Sequence, residues 1–178
     1  MNHFIQFLTY FRIFIAPIIF LLITFNHMYG WALILFFLAG ISDYWDGFLA
    51  RKYNLESIFG EVLDPIADKI LITFLILGLS IELSSIFIGM LGGIMLVREF
   101  WVGALRDFNS RNGTVGATKV TLLAKMKTSI QFLTFSLYLI GLFLNNSMIL
   151  FMANFFLLLA LIITLKTGFS YTLATFKR

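Results

Sequence analysis

Four aspartates stand inside an otherwise apolar chain: Asp43, Asp46, Asp64 and Asp68. Asp43, Asp46, Gly47 and Ala50 are spaced i, i+3, i+4 and i+7, which puts them on one face of a helix. Gly60, Asp64 and Asp68, at i, i+4 and i+8, share one face of the next helix. A carboxylate deep in a bilayer costs about 2.5–3.5 kcal/mol to insert, and converging acids also repel one another. Protonation, pairing with cations or metal binding relieves such a cluster. Arg51 and Lys69 are the nearest cations in sequence, too few to neutralise four acids. The donors are all oxygen, there is no cysteine, and His3 and His27 lie far apart, so the set favours hard divalent ions such as Mg2+ or Mn2+. Two ions would balance four carboxylates, and a two-metal site suits attack on phosphorus. Gly47, Ala50 and Gly60 are small enough for close helix packing, or for a ligand to lie against the backbone. A proton or ion pathway through a transporter is the competing reading of the same acids.

The elements that must hold these residues are membrane helices. The 178 residues are 60% hydrophobic and 12% charged, against about 45–50% and about 25% in ordinary soluble domains. Mean hydropathy is +0.96. The length allows about one domain, residues 1–178. With roughly 20 apolar residues per crossing, about six crossings would use most of the chain. Six apolar segments are predicted, at 9–27, 31–52, 59–81, 84–106, 120–144 and 147–167. The alternating stretches of a barrel do not occur, so the expected fold is all-α and polytopic, with six transmembrane helices. The longest break, Asp107 to Lys119, reads as a polar loop, and residues 2–8 as a frayed start. No small-x-small cleavage site follows the first apolar run and Pro17 lies inside it, so 9–27 is read as a retained span rather than a signal peptide.

The basic residues then fix a side. With the N-terminus inside, Arg51, Lys52, Arg106, Arg111, Lys119, Lys166, Lys177 and Arg178 all fall on the cytoplasmic face, and the three external loops carry no Lys or Arg. Both termini are therefore expected in the cytoplasm. This distribution explains the net charge of +4 without nucleic acid. The absence of cysteine excludes disulfides, zinc-thiolate sites and thiol nucleophiles.

Written out, residues 43–68 are Asp43-x2-Asp46-Gly47-x2-Ala50-Arg51-x8-Gly60-x3-Asp64-x3-Asp68. This segment resembles the signature of the CDP-alcohol phosphatidyltransferases at every defined position. The resemblance implies a six-helix membrane enzyme, usually a homodimer, in which a hydroxyl attacks the β-phosphorus of CDP-diacylglycerol and CMP leaves. By that analogy Asp43, Asp46, Asp64 and Asp68 bind two metal ions per protomer, and Asp68 is also the general base. Gly47, Ala50, Arg51 and Gly60 would line the CDP site. Arg98-Glu99, Leu105-Arg106 and Lys125-Met126-Lys127-Thr128-x2-Gln131 resemble the phosphatidylglycerophosphate synthase branch. Glycerol 3-phosphate is then the implied acceptor, its phosphate held by Arg98, Arg106, Lys125 and Lys127. Serine, inositol phosphate and phosphatidylglycerol are the alternative acceptors. Thr9-x2-Arg12 also fits the branch, whereas Ile5-Gln6 and Ala124 depart from it. The resemblance implies an integral protein of a bacterial inner membrane with its site facing the cytoplasm.

The remaining features read as structural. Glu99 is expected to pair with a basic neighbour, Gly92-Gly93 to mark close helix contact, and Asn145-Asn146 to form a turn. Residues 132–178 read as a generic pair of helices, and the 22 phenylalanines as lipid-facing or packing residues.

Overall fold

The computed structural model describes residues 2–53, 58–114 and 122–177, with side chains described at 7–45, 63–114, 123 and 126–177. The regular structure among them is helical: α1 (Asn2–Thr24), α2 (Tyr29–Tyr53), α3 (Ile58–Glu82), α4 (Ile86–Arg111), α5 (Leu122–Phe143) and α6 (Ser147–Phe176). The all-α expectation holds, with one helix for each apolar segment. Among the residues with described side chains, which on α2 end at Trp45, four helices, α1, α4, α5 and α6, are long and apolar enough to cross a membrane. Helices α2 and α3 carry the aspartates together with Arg51, Lys52 and Lys69.

The surface is rich in large apolar side chains, and several polar ones lie inside beside the apolar core. Phe14, Phe25, Ile86 and Phe151 are 69–80% exposed, while Arg12 is 0% and Asn109 1% exposed. Apolar side chains outside and polar ones inside suit a lipid surround, where lipid offers buried polar groups no hydrogen-bond partner. Hydroxyls on the helices follow the same logic: Thr24, Thr73, Thr134 and Ser136 each donate to the carbonyl one turn back.

The turns are tight. His27, Ser84 and Asn145, one in each of the 25–28, 83–85 and 144–146 connections, adopt left-handed backbone with φ of +49°, +46° and +48°. Asn146 then caps α6, its side chain accepting from the Met148 and Ile149 amides at 2.9 and 3.3 Å. The expected Asn145-Asn146 turn is thus present.

Two compact units make up the chain, residues 1–85 with 139–145, and residues 86–138 with 146–178. In the first, α1 packs against both α2 and α3. Contacts between α1 and α3 advance together along both helices. Thr9 meets Asp64, the Phe20 and Phe74 rings stand 5.9 Å apart, and Ile23 lies against Gly78. The two helices therefore run parallel, with Ala16, Ile19, Leu75 and Leu79 fully buried along the way.

In the second unit α4 packs on α6. The buried seam of α4 is Ile88, Gly92, Met95, Arg98, Val102, Leu105 and Asn109, a helical 3–4 spacing. Arg98 meets Thr167 and Asn109 meets Thr175, so these helices are also parallel. Three expectations change in detail. Helix α1 starts at Asn2 rather than fraying through residue 8. Helix α4 persists to Arg111, into the predicted 107–119 loop, where Arg111 pairs with Asp107 one turn back and Asn109 is buried on Thr175. Of the predicted Gly92-Gly93 contact only Gly92 is buried; a Cβ on Gly93 would meet nothing within 4 Å.

Candidate active site

Three of the four aspartates converge on one cation, and that cation is Arg12 of α1. Its Nη1 donates to Asp43 Oδ1 at 2.5 Å and to Asp68 Oδ1 at 2.6 Å, and its Nη2 donates to Asp64 Oδ1 at 3.0 Å. Thr9, one turn earlier on α1, donates to the same Asp64 oxygen at 2.8 Å. Helical spacing supplies the geometry. Thr9 and Arg12 are i, i+3 on α1, and Asp64 and Asp68 are i, i+4 on α3, so each pair shares a face. The planar guanidinium spreads its donors over two terminal nitrogens in a fixed fork and so holds three carboxylates in a set geometry, whereas an ammonium gathers its rotating donors on one nitrogen.

Burial is divided unequally. The Arg12 side chain is 0% exposed, while those of Asp43, Asp64 and Asp68 are 51%, 38% and 50% exposed. The cation closes the cluster from below and the carboxylates keep an open side. Nothing in the spacing of the acids points to Arg12. The available signal was an arginine inside the first apolar segment with a threonine one turn before it.

The carboxylate oxygens gathered within hydrogen-bond reach of one guanidinium form an all-oxygen donor set, the chemistry that Mg2+ or Mn2+ requires. Among the described residues no three acids or histidines stand ready-made as a metal cage. The Asp46 side chain lies outside the described residues. So do the surroundings of Gly47, Ala50 and Arg51 on α2 and of Gly60 on α3.

The second unit holds a different polar cluster. Arg98 is 7% and Lys127 9% exposed, and both bond to Glu99, the arginine at 3.0 Å. Glu99 thus pairs with its basic neighbours as expected. Arg106 is exposed, with its guanidinium carbon 5.9 Å from the centre of the Tyr171 ring. The Lys125 side chain is outside the described residues. The spacing of the cations gave no hint of the Arg98 partner on α6, the Thr167 hydroxyl at 2.6 Å.

The model of the CDP-alcohol phosphatidyltransferase family matches residues 3–166, most of the chain and all of the aspartate segment. The chain belongs to the CDP-alcohol phosphatidyltransferase family. It is also similar to curated bacterial proteins named CDP-diacylglycerol–glycerol-3-phosphate 3-phosphatidyltransferase. The protein of that name from Wigglesworthia glossinidia brevipalpis is 38% identical over 71% of this chain and 70% of its own length. That of Rickettsia typhi is 36% identical over 93% of both chains. That of Salmonella choleraesuis is 34% identical over 70% of this chain and 69% of its own. As a CDP-alcohol phosphatidyltransferase the protein is a transferase, and its apolar helices make it a membrane one.

Proposed function

We propose that this chain transfers the phosphatidyl group of CDP-diacylglycerol to sn-glycerol 3-phosphate, yielding phosphatidylglycerophosphate and CMP. The observation that carries the reading is the convergence of Asp43, Asp64 and Asp68 from two helices onto one buried arginine. It is supported by the names of relatives that match across nearly the whole chain. The acceptor hydroxyl oxygen attacks the β-phosphorus, the new O–P bond forms, and the P–O bond to CMP breaks with its electron pair leaving on CMP. Asp68, half exposed, takes the proton of the attacking hydroxyl. Arg12 and Thr9 hold the carboxylates in place. Asp43, Asp46, Asp64 and Asp68 are the residues that would hold Mg2+ or Mn2+, two ions per protomer, and such ions supply Lewis-acid polarisation of the phosphoryl oxygens and offset charge on the leaving group. Gly47, Ala50, Arg51 and Gly60 line the CDP site, and Arg98, Arg106, Lys125 and Lys127 attract the acceptor phosphate.

All six helices cross the membrane in this reading, with both termini in the cytoplasm. The parallel pairing of α1 with α3 and of α4 with α6 is what alternate crossings require. The chain works as one catalytic domain over residues 1–178, as a homodimer in a bacterial inner membrane. The acyl tails stay in the bilayer while the diphosphate reaches the aspartates at the cytoplasmic edge.

Purified protein in mixed micelles, given CDP-diacylglycerol and each acceptor in turn, tests the assignment through CMP release. Glycerol 3-phosphate is expected to exceed serine in kcat/KM by at least about a hundredfold, since a site built for a phosphate leaves charge unpaired with an acceptor that lacks one, and to exceed inositol phosphate and phosphatidylglycerol as well. A preference for serine would overturn the acceptor. Ion flux in liposomes without CMP release would overturn the enzyme.

Chelation supplies a separate check. EDTA is expected to stop CMP release, and Mg2+ or Mn2+ to restore it. The metal should also raise the unfolding free energy by about 2.7 kcal/mol at roughly a hundred times its Kd, because it binds the folded state alone. Undiminished turnover in EDTA would remove metal from the chemistry.

A further inference from the structure

We infer that Thr167 and Gly168 of α6 are positioning residues that aim Arg98, and through it fix how tightly the acceptor phosphate is held. The inference rests on the acceptor reading above. Both residues follow the stretch that the family model matches, which ends at residue 166.

Thr167 is built to be an acceptor. Its hydroxyl lies 2.9 Å from the Ile163 carbonyl and 3.0 Å from that of Thr164, so its proton is spent within its own helix. The lone pairs are left for Arg98 Nη2 at 2.6 Å. Gly168 makes the room. A Cβ there would stand 2.9 Å from Arg98 Nε and 3.0 Å from Arg98 Cγ, so the arginine stem lies where any other residue would put its side chain. Thr167 and Gly168 therefore clamp opposite parts of one side chain, the head by a hydrogen bond and the stem by close fit.

The clamped group is chemically incomplete. Arg98 Nε is buried and has no hydrogen-bond partner among the described residues. Nor has Gln131 Nε2, on a residue 3% exposed and one turn along α5 from Lys127. Arg98 and Lys127 share a single carboxylate, Glu99, so the trio retains one positive charge. Surplus charge and buried donors without acceptors are what an anionic ligand satisfies. A phosphate monoester such as that of glycerol 3-phosphate has the oxygens to do so.

The test measures KM for both substrates in full-length Thr167→Val, Thr167→Ser and Gly168→Ala enzymes. Valine keeps the shape and removes the hydroxyl; serine keeps the hydroxyl. The KM for glycerol 3-phosphate is expected to rise about tenfold in Thr167→Val and in Gly168→Ala, the cost of misdirecting one charged hydrogen bond. Thr167→Ser should stay within about twofold of the unsubstituted enzyme, and kcat and the KM for CDP-diacylglycerol should hold in all three, since only acceptor binding is weakened. Should Thr167→Val fail to fold, Gly168→Ala against Thr167→Ser carries the comparison. An unchanged acceptor KM in Thr167→Val and Gly168→Ala overturns the clamp. So does a parallel loss for both substrates, the mark of packing alone. If the unsubstituted enzyme does not use glycerol 3-phosphate at all, it is the acceptor reading that falls.

Discussion

Replacing Arg12 with methionine is expected to lower CMP release by about a hundredfold or more, the scale on which preorganised electrostatic groups act. The guanidinium is wholly buried and serves Asp43, Asp64 and Asp68 together. Methionine fills similar volume but leaves three carboxylates facing one another without a cation. Breaking buried ion pairs from one side costs about 3–5 kcal/mol. The carboxylates here are 38–51% exposed, and water screening puts the loss near the lower end, about 3 kcal/mol. Saturating Mg2+ should restore part of that stability, because a divalent ion also neutralises the acids. Activity should stay low, because the ion does not reproduce the fixed donors that orient Asp64 and Asp68. Arg12→Lys should fall between, having charge without the fork. CMP release and thermal unfolding, with and without Mg2+, check these statements. Full activity in Arg12→Met would show that the carboxylates are ordered by other means.

The second large effect is expected at Asp68. Asp68→Asn preserves the Oδ1 acceptor for Arg12, which now stands at 2.6 Å, and removes the ability to take a proton. The fold should therefore survive while kcat falls by about 10²–10⁴, the contribution of a positioned base. Asp43→Asn is the control: that residue bonds to the same Nη1 but has no proton to receive. Its loss should be recoverable in part by raising the metal concentration, and that of Asp68→Asn should not. Turnover of Asp68→Asn near the unsubstituted rate would take the base role away from this residue.

Much of this arrangement was legible in local spacing. Asp64 and Asp68 share a face because four residues make about one helical turn, whereas the packing of α2 and α3 on a common neighbour, α1, is not written in that spacing. Each apolar run carries one helix, although α1 begins before its run and α4 and α6 continue past theirs, α6 to Phe176 rather than 167. Arg12 was legible as an arginine within the first apolar segment and as part of the Thr9-x2-Arg12 pattern, but not as the partner of the acids, because its three partners lie 31 to 56 residues away. Periodicity sorts residues on one helix and carries no information on which helix lies opposite. The same limit hid the α6 contacts. Thr164, Thr167, Gly168, Tyr171 and Thr175 stand at 3–4 spacing on a buried face, yet read as part of a generic helix until Arg98 and Asn109 are found against them. Where α4 ends was missed for a related reason. Residues of loop-like composition, Asp107 to Arg111, stay helical because one is buried against α6 and two pair across a turn.

The lone buried arginine of α1 has a consequence for how the protein is made. Arg12 is synthesised 31 residues before Asp43, and 52 and 56 residues before Asp64 and Asp68. At about 5–20 residues per second, the first segment waits for seconds with a charge whose insertion costs about 2.5–3.5 kcal/mol. Asp43 on α2 is the first partner to be made, and the full set is present only once α3 has followed. Biogenesis of the first unit is thus a delayed handshake, in which the residue that orders the carboxylates is made first and its partners arrive in turn.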